Sequence, residues 1–273
     1  MSRILLMLVC TFCTLFFNSC NKDNDVDIAQ CKVVRLVGNF EDRVKGIATI
    51  EYDSKNRISR INSTQDSVLR SFTAVYEKKR VILKTKYDGD FTYDLDGSGR
   101  TVRASIYRGD VIYTFSYNSE GHVATVTEKY RTQHETTYTL TYNNGNLSTM
   151  TGITPVWNNK RVFVFEYAGD DKHNYDYNLA EPLSFIQLRD IIPGLFGKMS
   201  KGRLVKVTED SDDLNASNIY GQRFITEFKY TFDADRNATN VVITNSSYGK
   251  TPGKDLYHNW TTTTNYQLSY KCN

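Results

Sequence analysis

One short unit recurs along this chain and limits what it can fold into. Its fullest copy is Tyr93-Asp94-Leu95-Asp96-Gly97-Ser98-Gly99-Arg100. Tyr52-Asp53-Ser54-Lys55-Asn56-Arg57, Tyr117-Asn118-Ser119-Glu120-Gly121-His122 and Tyr142-Asn143-Asn144-Gly145-Asn146-Leu147 repeat its form, and Phe232-Asp233-Ala234-Asp235-Arg236-Asn237 is a looser copy. Several neighbours lie about 24 residues apart, the spacing of a structural repeat. Before each turn the residues alternate. Tyr113, Phe115 and Tyr117 fall on one face with Thr114 and Ser116 on the other, and Tyr138, Leu140 and Tyr142 oppose Thr137, Thr139 and Thr141. A period of two is a strand with one apolar face. The Asn, Asp and Gly cluster supplies the positive φ angles of a tight hairpin. A second strand follows, as in Thr101–Tyr107 or Val123–Thr127. A lone hairpin is marginal in water, so the units must lie side by side. The expectation is an all-β antiparallel meander of about 14–16 strands, forming a curled sheet or closed barrel.

The alternating acids of YDLDGSGR also raise the question of a calcium loop. An EF-hand loop needs an acidic ligand at its twelfth position, and counting from Asp94 that position is Ser105. The flanks read as strands and the sister copies lose the acid spacing, so the segment reads as a hairpin tip.

From Asp170 to Gly202 the turn rhythm stops. Phe185, Leu188, Ile191 and Ile192 stand at helical spacing, Pro182 suits a first turn and Pro193 a stop. This predicts one helical insertion near 180–197, either filling the barrel or packed on an outer face or end.

The N-terminus reads as an address. Arg3 precedes an apolar run from Ile4 to Phe17, too short for the roughly 20 residues a spanning helix needs and suited to a signal peptide. The segment Leu15-Phe16-Phe17-Asn18-Ser19-Cys20 resembles the lipobox of bacterial lipoprotein precursors, with Phe17 where Leu is usual and Asn18 where Ala or Ser is usual. The resemblance implies removal of residues 1–19 and lipidation of Cys20, which would then hold the protein to a membrane. Residues 20–30 read as a flexible acidic tether and 31–273 as a single β domain. Two cysteines remain in that domain, Cys31 and Cys272. In an oxidising compartment such a pair normally joins. The bond would close a loop of about 240 residues, worth roughly 5 kcal/mol in the chain-entropy model, and would require the first and last strands to be neighbours.

With these residues in view, the chain resembles two families. The aromatic-Asp unit with its Gly-Arg or Asn-Arg turn is similar to a degenerate tyrosine-aspartate repeat of large bacterial shell proteins. The whole chain resembles an uncharacterised lipoprotein family of Gram-negative gut anaerobes with hairpins of this kind and a late apolar insertion. That resemblance implies a porin-like barrel fold, placement at the cell envelope as an outer-membrane lipoprotein, surface-exposed or periplasmic, and no catalytic residues to carry over. Charged segments such as Glu77-Lys78-Lys79-Arg80 argue against strands that each present an apolar face to lipid.

The near balance of 34 Lys and Arg against 31 Asp and Glu gives no basic footprint for nucleic acid. The histidines form no metal or catalytic pattern. His122 is expected as a solvated turn tip, His134-Glu135 as an exposed hairpin tip, and His173 with Asp170-Asp171 as a charged loop. The expectation is therefore a non-enzymatic protein with no catalytic residue, metal or cofactor. Most tyrosines are expected in the core. Trp157 and Trp260, at strand or loop edges, are the better candidates for stacking on a ligand. Two functions stay open: a binding module for a glycan, small molecule or peptide, and a scaffold docking to another envelope protein.

Overall fold

The computed structural model describes residues 31–40, 44–65, 68–85, 89–131, 134–168, 195–198, 200–213, 221–235, 237–250 and 256–272. Sixteen strands follow one another: β1 (Cys31–Phe40), β2 (Val44–Tyr52), β3 (Ile58–Gln65), β4 (Val68–Tyr76), β5 (Arg80–Thr85), β6 (Phe91–Leu95), β7 (Thr101–Ile106), β8 (Val111–Tyr117), β9 (Val123–Tyr130), β10 (His134–Asn143), β11 (Asn146–Thr154), β12 (Asn159–Ala168), β13 (Arg203–Asp213), β14 (Gly221–Phe232), β15 (Ala238–Lys250) and β16 (Tyr257–Cys272). Each pairs antiparallel with the next, and β1 pairs with β16, so the sheet closes into a barrel. Closure leaves no unpaired strand edge. The seam register sets Cys31 opposite Cys272, so the backbone meets the neighbour condition that a bond between them requires. The bond itself, like Cys20 and the signal segment, lies outside the described residues.

The two ends of the barrel differ because every connection reverses direction. The turns after even-numbered strands gather at one end, here the near end, with Cys31 and Cys272. The turns after odd-numbered strands gather at the far end.

At the near end the repeated unit shows its purpose. The Asp53 carboxylate accepts the Lys55 and Arg57 amides and both Nε and Nη2 of Arg57. Asp96 takes the same bonds from Ser98 and Arg100. Asn118 and Asp233 accept the equivalent turn amides of His122 and Asn237. The arginine so fixed lies over the tyrosine of the next hairpin, Arg57 3.9 Å from the centre of the Tyr76 ring and Arg100 4.4 Å from that of Tyr117. That tyrosine donates to the first carbonyl of the preceding strand: Tyr76 to Ile58 and Tyr117 to Thr101, with Tyr270 to Ala238 as a further copy. Acid, arginine and tyrosine thus lock each hairpin to its neighbour. Asp94, the other acid of YDLDGSGR, stands in β6 between Arg80 and Arg103. Both acids are committed to protein partners, which supports the hairpin reading over a calcium loop.

The alternation holds as expected. Val111, Tyr113 and Phe115 are buried inside, while Thr114 and Ser116 are exposed. The outer wall carries hydroxyl ladders such as Ser116–Thr125 and ion pairs such as Arg223–Asp210 and Lys206–Glu166. A barrel that faces lipid needs the reverse, an apolar band outside.

The helical insertion is described only at its end. Residues 180–194 lie outside the described residues, and Leu195–Gly197 form a bend rather than the last turn of a helix. Leu195 and Phe196 are buried. The Phe196 ring meets Phe115 at 5.2 Å and Tyr93 at 6.1 Å. The Leu195 carbonyl accepts the Thr101 amide, the Lys198 amide donates to Gly121, and the Lys201 and Gly202 amides donate to Asn146 Oδ1. Residues 195–202 therefore cover the near end across the turns between β6 and β11.

That segment overturns the expectation for His122. The imidazole is 3% exposed, stacks on Tyr142 at 4.5 Å and has Nδ1 2.9 Å from the Lys198 carbonyl. A hairpin tip is solvated only where nothing docks on it, and here the chain returns over it.

Candidate functional site at the far end of the barrel

Three inward charges, on β9, β12 and β13, come together near the far end. In β9, Val126, Glu128 and Tyr130 point inward by alternation, and in β12 Arg161, Phe163 and Phe165 do so. Glu128 stands opposite Tyr113 of β8, whose hydroxyl donates to its Oε1 at 3.1 Å. The Tyr138 hydroxyl of β10 reaches Oε2 at 3.5 Å. Arg161 donates through Nε to Glu209 Oε1 of β13 at 2.7 Å, and its Nη2 lies 2.7 Å from the same oxygen. Tyr138, Gly152 and Arg161 form one register row across three strands. Gly152 is the reason the row connects. A Cβ there would come 2.5 Å from the Tyr138 ring, which instead lies across β11 towards Arg161.

The electrostatics follow from burial. Desolvation pushes the Glu128 carboxyl above its ordinary range, although the Tyr113 hydroxyl, the Arg161 charge and the Tyr138 hydroxyl pull the other way. Desolvation, reinforced by the Glu128 charge, also raises the Tyr113 phenol, so it stays a donor. Burial alone would lower Arg161, but Glu209, Tyr138 and Glu128 together outweigh it and keep the guanidinium firmly charged.

An aromatic stack sits at the rim above this cluster. Tyr130 and His134 are register partners with rings 5.3 Å apart, and His134 meets Trp157 at 4.3 Å. Arg131 lies 5.6 Å from the centre of the Tyr130 ring and pairs with Asp110 at 3.0 Å. Trp157 ends the stack and is 55% exposed. Beside Glu128, its register partner Thr136 and Thr154 share a hydroxyl–hydroxyl bond at 2.7 Å. Trp260 is at the same end, on β16, beside Phe224 at 6.5 Å. Thr226 donates to Asn245 on the inner wall there, and Ser247 is the register partner of Trp260.

Both tryptophans singled out from the sequence thus share the far end. His134 is part of the stack rather than an isolated exposed tip, while Glu135 faces outward. His258 bonds to Thr261 and lies near Tyr248, away from any carboxylate cluster. His173, Asp170 and Asp171 lie outside the described residues. Among the described residues no group of three His, Cys, Asp or Glu is placed to hold a metal. The sequence reading missed Glu128, Arg161, Glu209 and Gly152. The available signal was a charge at an inward position of the alternation.

No family model matches the chain, and no curated relative does. Among solved structures the chain is similar to a porin-like protein from Bacteroides uniformis, at 17% identity and a TM-score of 0.57, over 87% of this chain and 98% of that one. The barrel is porin-like. The chain also aligns with part of the TcdB2-TccC3 structure, at 13% identity and a TM-score of 0.28, over 79% of this chain and 16% of that one. The first likeness concerns the path of the backbone. In this porin-like barrel the large buried apolar side chains point in, and the outer wall mixes polar groups with scattered exposed valines and isoleucines such as Val102, Ile153 and Val164.

Proposed function

We propose that the protein is a non-enzymatic, lipid-anchored binding module of the cell envelope, an outer-membrane lipoprotein that receives a glycan, small molecule or peptide at the far end of its barrel. The observation that carries the reading is the difference between the ends. Among the described residues, 195–198 and 200–202 cover part of the near end, whereas the far end presents an exposed Trp157 near the Glu128–Arg161–Glu209 cluster. Sites of this kind combine apolar surface with a few convergent polar groups.

The tether fits this orientation. With Cys20 lipidated, residues 21–30 would reach β1 at Cys31, at the near end, so the far end would point away from the membrane. A Cys31–Cys272 disulfide would staple the seam where the tether arrives. The non-enzymatic reading rests on how the candidate groups are held: Arg161 is clamped by Glu209, and Glu128 is held by two phenols.

A second reading, a scaffold docking to another envelope protein, draws on Ile153 and Val156, which are exposed in and beside the turn that carries Trp157. Mixed arrays of oligosaccharides, peptides and small metabolites, read on the domain and on Trp157→Ala, test the two. Ligand binding that Trp157→Ala weakens supports the module. A partner captured through Ile153 and Val156 with no small ligand supports the scaffold. Cys20→Ala should release the protein from the membrane fraction, and unchanged detergent partitioning would refute the anchor.

A further inference from the structure

We propose that the near end of the barrel docks on an anionic lipid surface through lysines at its turn tips, so that the barrel stands on the membrane with its far end outward. The lipid-anchor reading supplies the setting, and the distribution of charge supplies the contact.

Every connection that follows an even-numbered strand returns at the near end, so the tips of those turns share one rim. Lys55 tops the turn between β2 and β3, and Lys78 and Lys79 the turn between β4 and β5. Lys271 stands at the seam beside Cys272. Lys198 and Lys201 stand on the segment that crosses this end. All six are exposed, and none has an ion-pair partner among the described residues.

The acids of the same turns do not cancel them. Asp53 is clasped by Arg57 and by the Lys55 and Arg57 amides, and Asp96 by Arg100 and the Ser98 and Arg100 amides. Asp94 is shared between Arg80 and Arg103. These carboxylates are neutralised within and between the hairpins, and the lysine charges are left over. Glu77 and Glu120 stand singly on the rim, and Asp233 and Asp235 make the turn between β14 and β15 its acidic stretch. The positive arc therefore runs from the seam through the turns of β2–β5 and over the covering segment. The far end is built differently, with Arg131 paired to Asp110 and Arg223 to Asp210.

The spread of the lysines selects a surface over a small anion. Neighbouring hairpin turns stand about 10 Å apart, two strand spacings, so Lys55 and Lys78 do not converge on one phosphate. Each can meet a different headgroup. A lysine beside an anionic leaflet gains a modest attraction that falls off within a Debye length, and several on one rim add up.

Connectivity supplies proximity. Cys31 begins β1 at this end, so a lipid on Cys20 would hold this rim, and not the far one, within reach of the headgroups. Tethering raises the effective concentration, and weak contacts then suffice. Asp23, Asp25 and Asp27 of the tether bring competing anions to the same rim, so the test keeps them.

The test is co-sedimentation of residues 20–273 carrying Cys20→Ala, which retains the tether and every described residue without an acyl group, with vesicles of equimolar phosphatidylcholine and phosphatidylglycerol. This protein should bind at low salt, release at about 0.5 M salt and leave phosphatidylcholine vesicles unbound. Adding Lys55→Glu, Lys78→Glu and Lys79→Glu together should weaken binding about tenfold or more. A control with the same change in charge, Arg108→Glu, Lys129→Glu and Lys160→Glu towards the far end, should keep most of it. Circular dichroism and thermal melting separate lost binding from lost fold. Absence of binding at low salt overturns the proposal. Equal losses in the two triple variants show attraction by net charge alone and overturn the near-end assignment. Polyglutamate bound through the three lysines, with vesicles left unbound, overturns the lipid surface in favour of an acidic polypeptide. The anchor fails separately: wild type and Cys20→Ala held equally in the cellular membrane fraction after a high-salt wash would refute lipidation, whatever the vesicles show.

Discussion

Cys31 and Cys272 are register partners on β1 and β16, the two strands whose pairing closes the barrel. Residues opposite one another in an antiparallel pair have Cα atoms about 4.5–5.5 Å apart, inside the range a disulfide needs. In an oxidising compartment the expected state of this pair is therefore a disulfide. Cys31→Ser should lower stability by about 2–5 kcal/mol in denaturant titrations and leave Cys272 open to thiol labelling. Mass spectrometry of the unreduced protein finding both thiols free would refute this.

The turn aspartates should make the barrel acid-sensitive. Burial alone would raise Asp53, but the hydrogen bonds from the Arg57 side chain and the Arg57 and Lys55 amides overcome it and hold the carboxyl below its usual value. Asp96 is lowered in the same way by Arg100 and Ser98. A carboxyl with a depressed folded pKa contributes stability that is present above its unfolded pKa and lost as pH falls through the folded one. Asp53→Ala and Asp96→Ala should each cost about 1 kcal/mol at neutral pH, a value reduced for the partial exposure of the arginines, and the cost should vanish at low pH. Denaturant midpoints for wild type and variants across pH check this; equal losses at both extremes would show a packing effect instead.

Gly152 should be intolerant of a side chain. Its β-carbon would meet Cε1 and Cδ1 of Tyr138 at 2.5 and 2.7 Å, and Tyr138 is itself buried. Gly152→Ala should displace that ring and separate it from Glu128, at a cost of about 1–3 kcal/mol. Tyr138→Leu in the same background should recover part of the loss, because it removes the clashing ring. No recovery would place the strain elsewhere.

The strands, their faces and the hairpin turns were legible because each is a local pattern: alternation in Tyr113–Tyr117, Asp and Gly in the turn that follows Leu95. Closure was left open between a curled sheet and a barrel, because the two end cysteines require the ends to meet only if they are bonded; the pairing of β1 with β16 decides it. What stayed hidden depends on contacts distant in sequence. His122 looked like a solvent-facing tip because nothing nearby reveals that Lys198 returns to cover it. Glu128, Arg161 and Glu209 each look like an isolated charge. Their juxtaposition requires the registers of β9 through β13 together, and a single glycine, Gly152, to let Tyr138 span the gap.

Glu128 gives the sharpest separation between a structural and a binding role. Desolvation raises its folded pKa above the unfolded value, with Tyr113, Arg161 and Tyr138 only partly offsetting it. A group raised in this way favours the folded state when protonated. Its contribution is fully present below the unfolded pKa and is lost as pH rises through the folded pKa. Above that window the ionised carboxylate is a burden on the fold. Glu128→Gln keeps the shape and an acceptor for Tyr113 without the charge. The variant should be as stable as wild type at acidic pH and more stable at neutral pH, with the gap opening as pH rises. Denaturant titrations of both proteins at matched pH values check the sign. If Glu128 serves only the fold, the stability difference follows pH in the same way and binding is unchanged. If the carboxylate is kept for a ligand at the far end, stability rises at neutral pH while affinity for that ligand falls, the trade expected where a site holds a group that the fold alone would not choose.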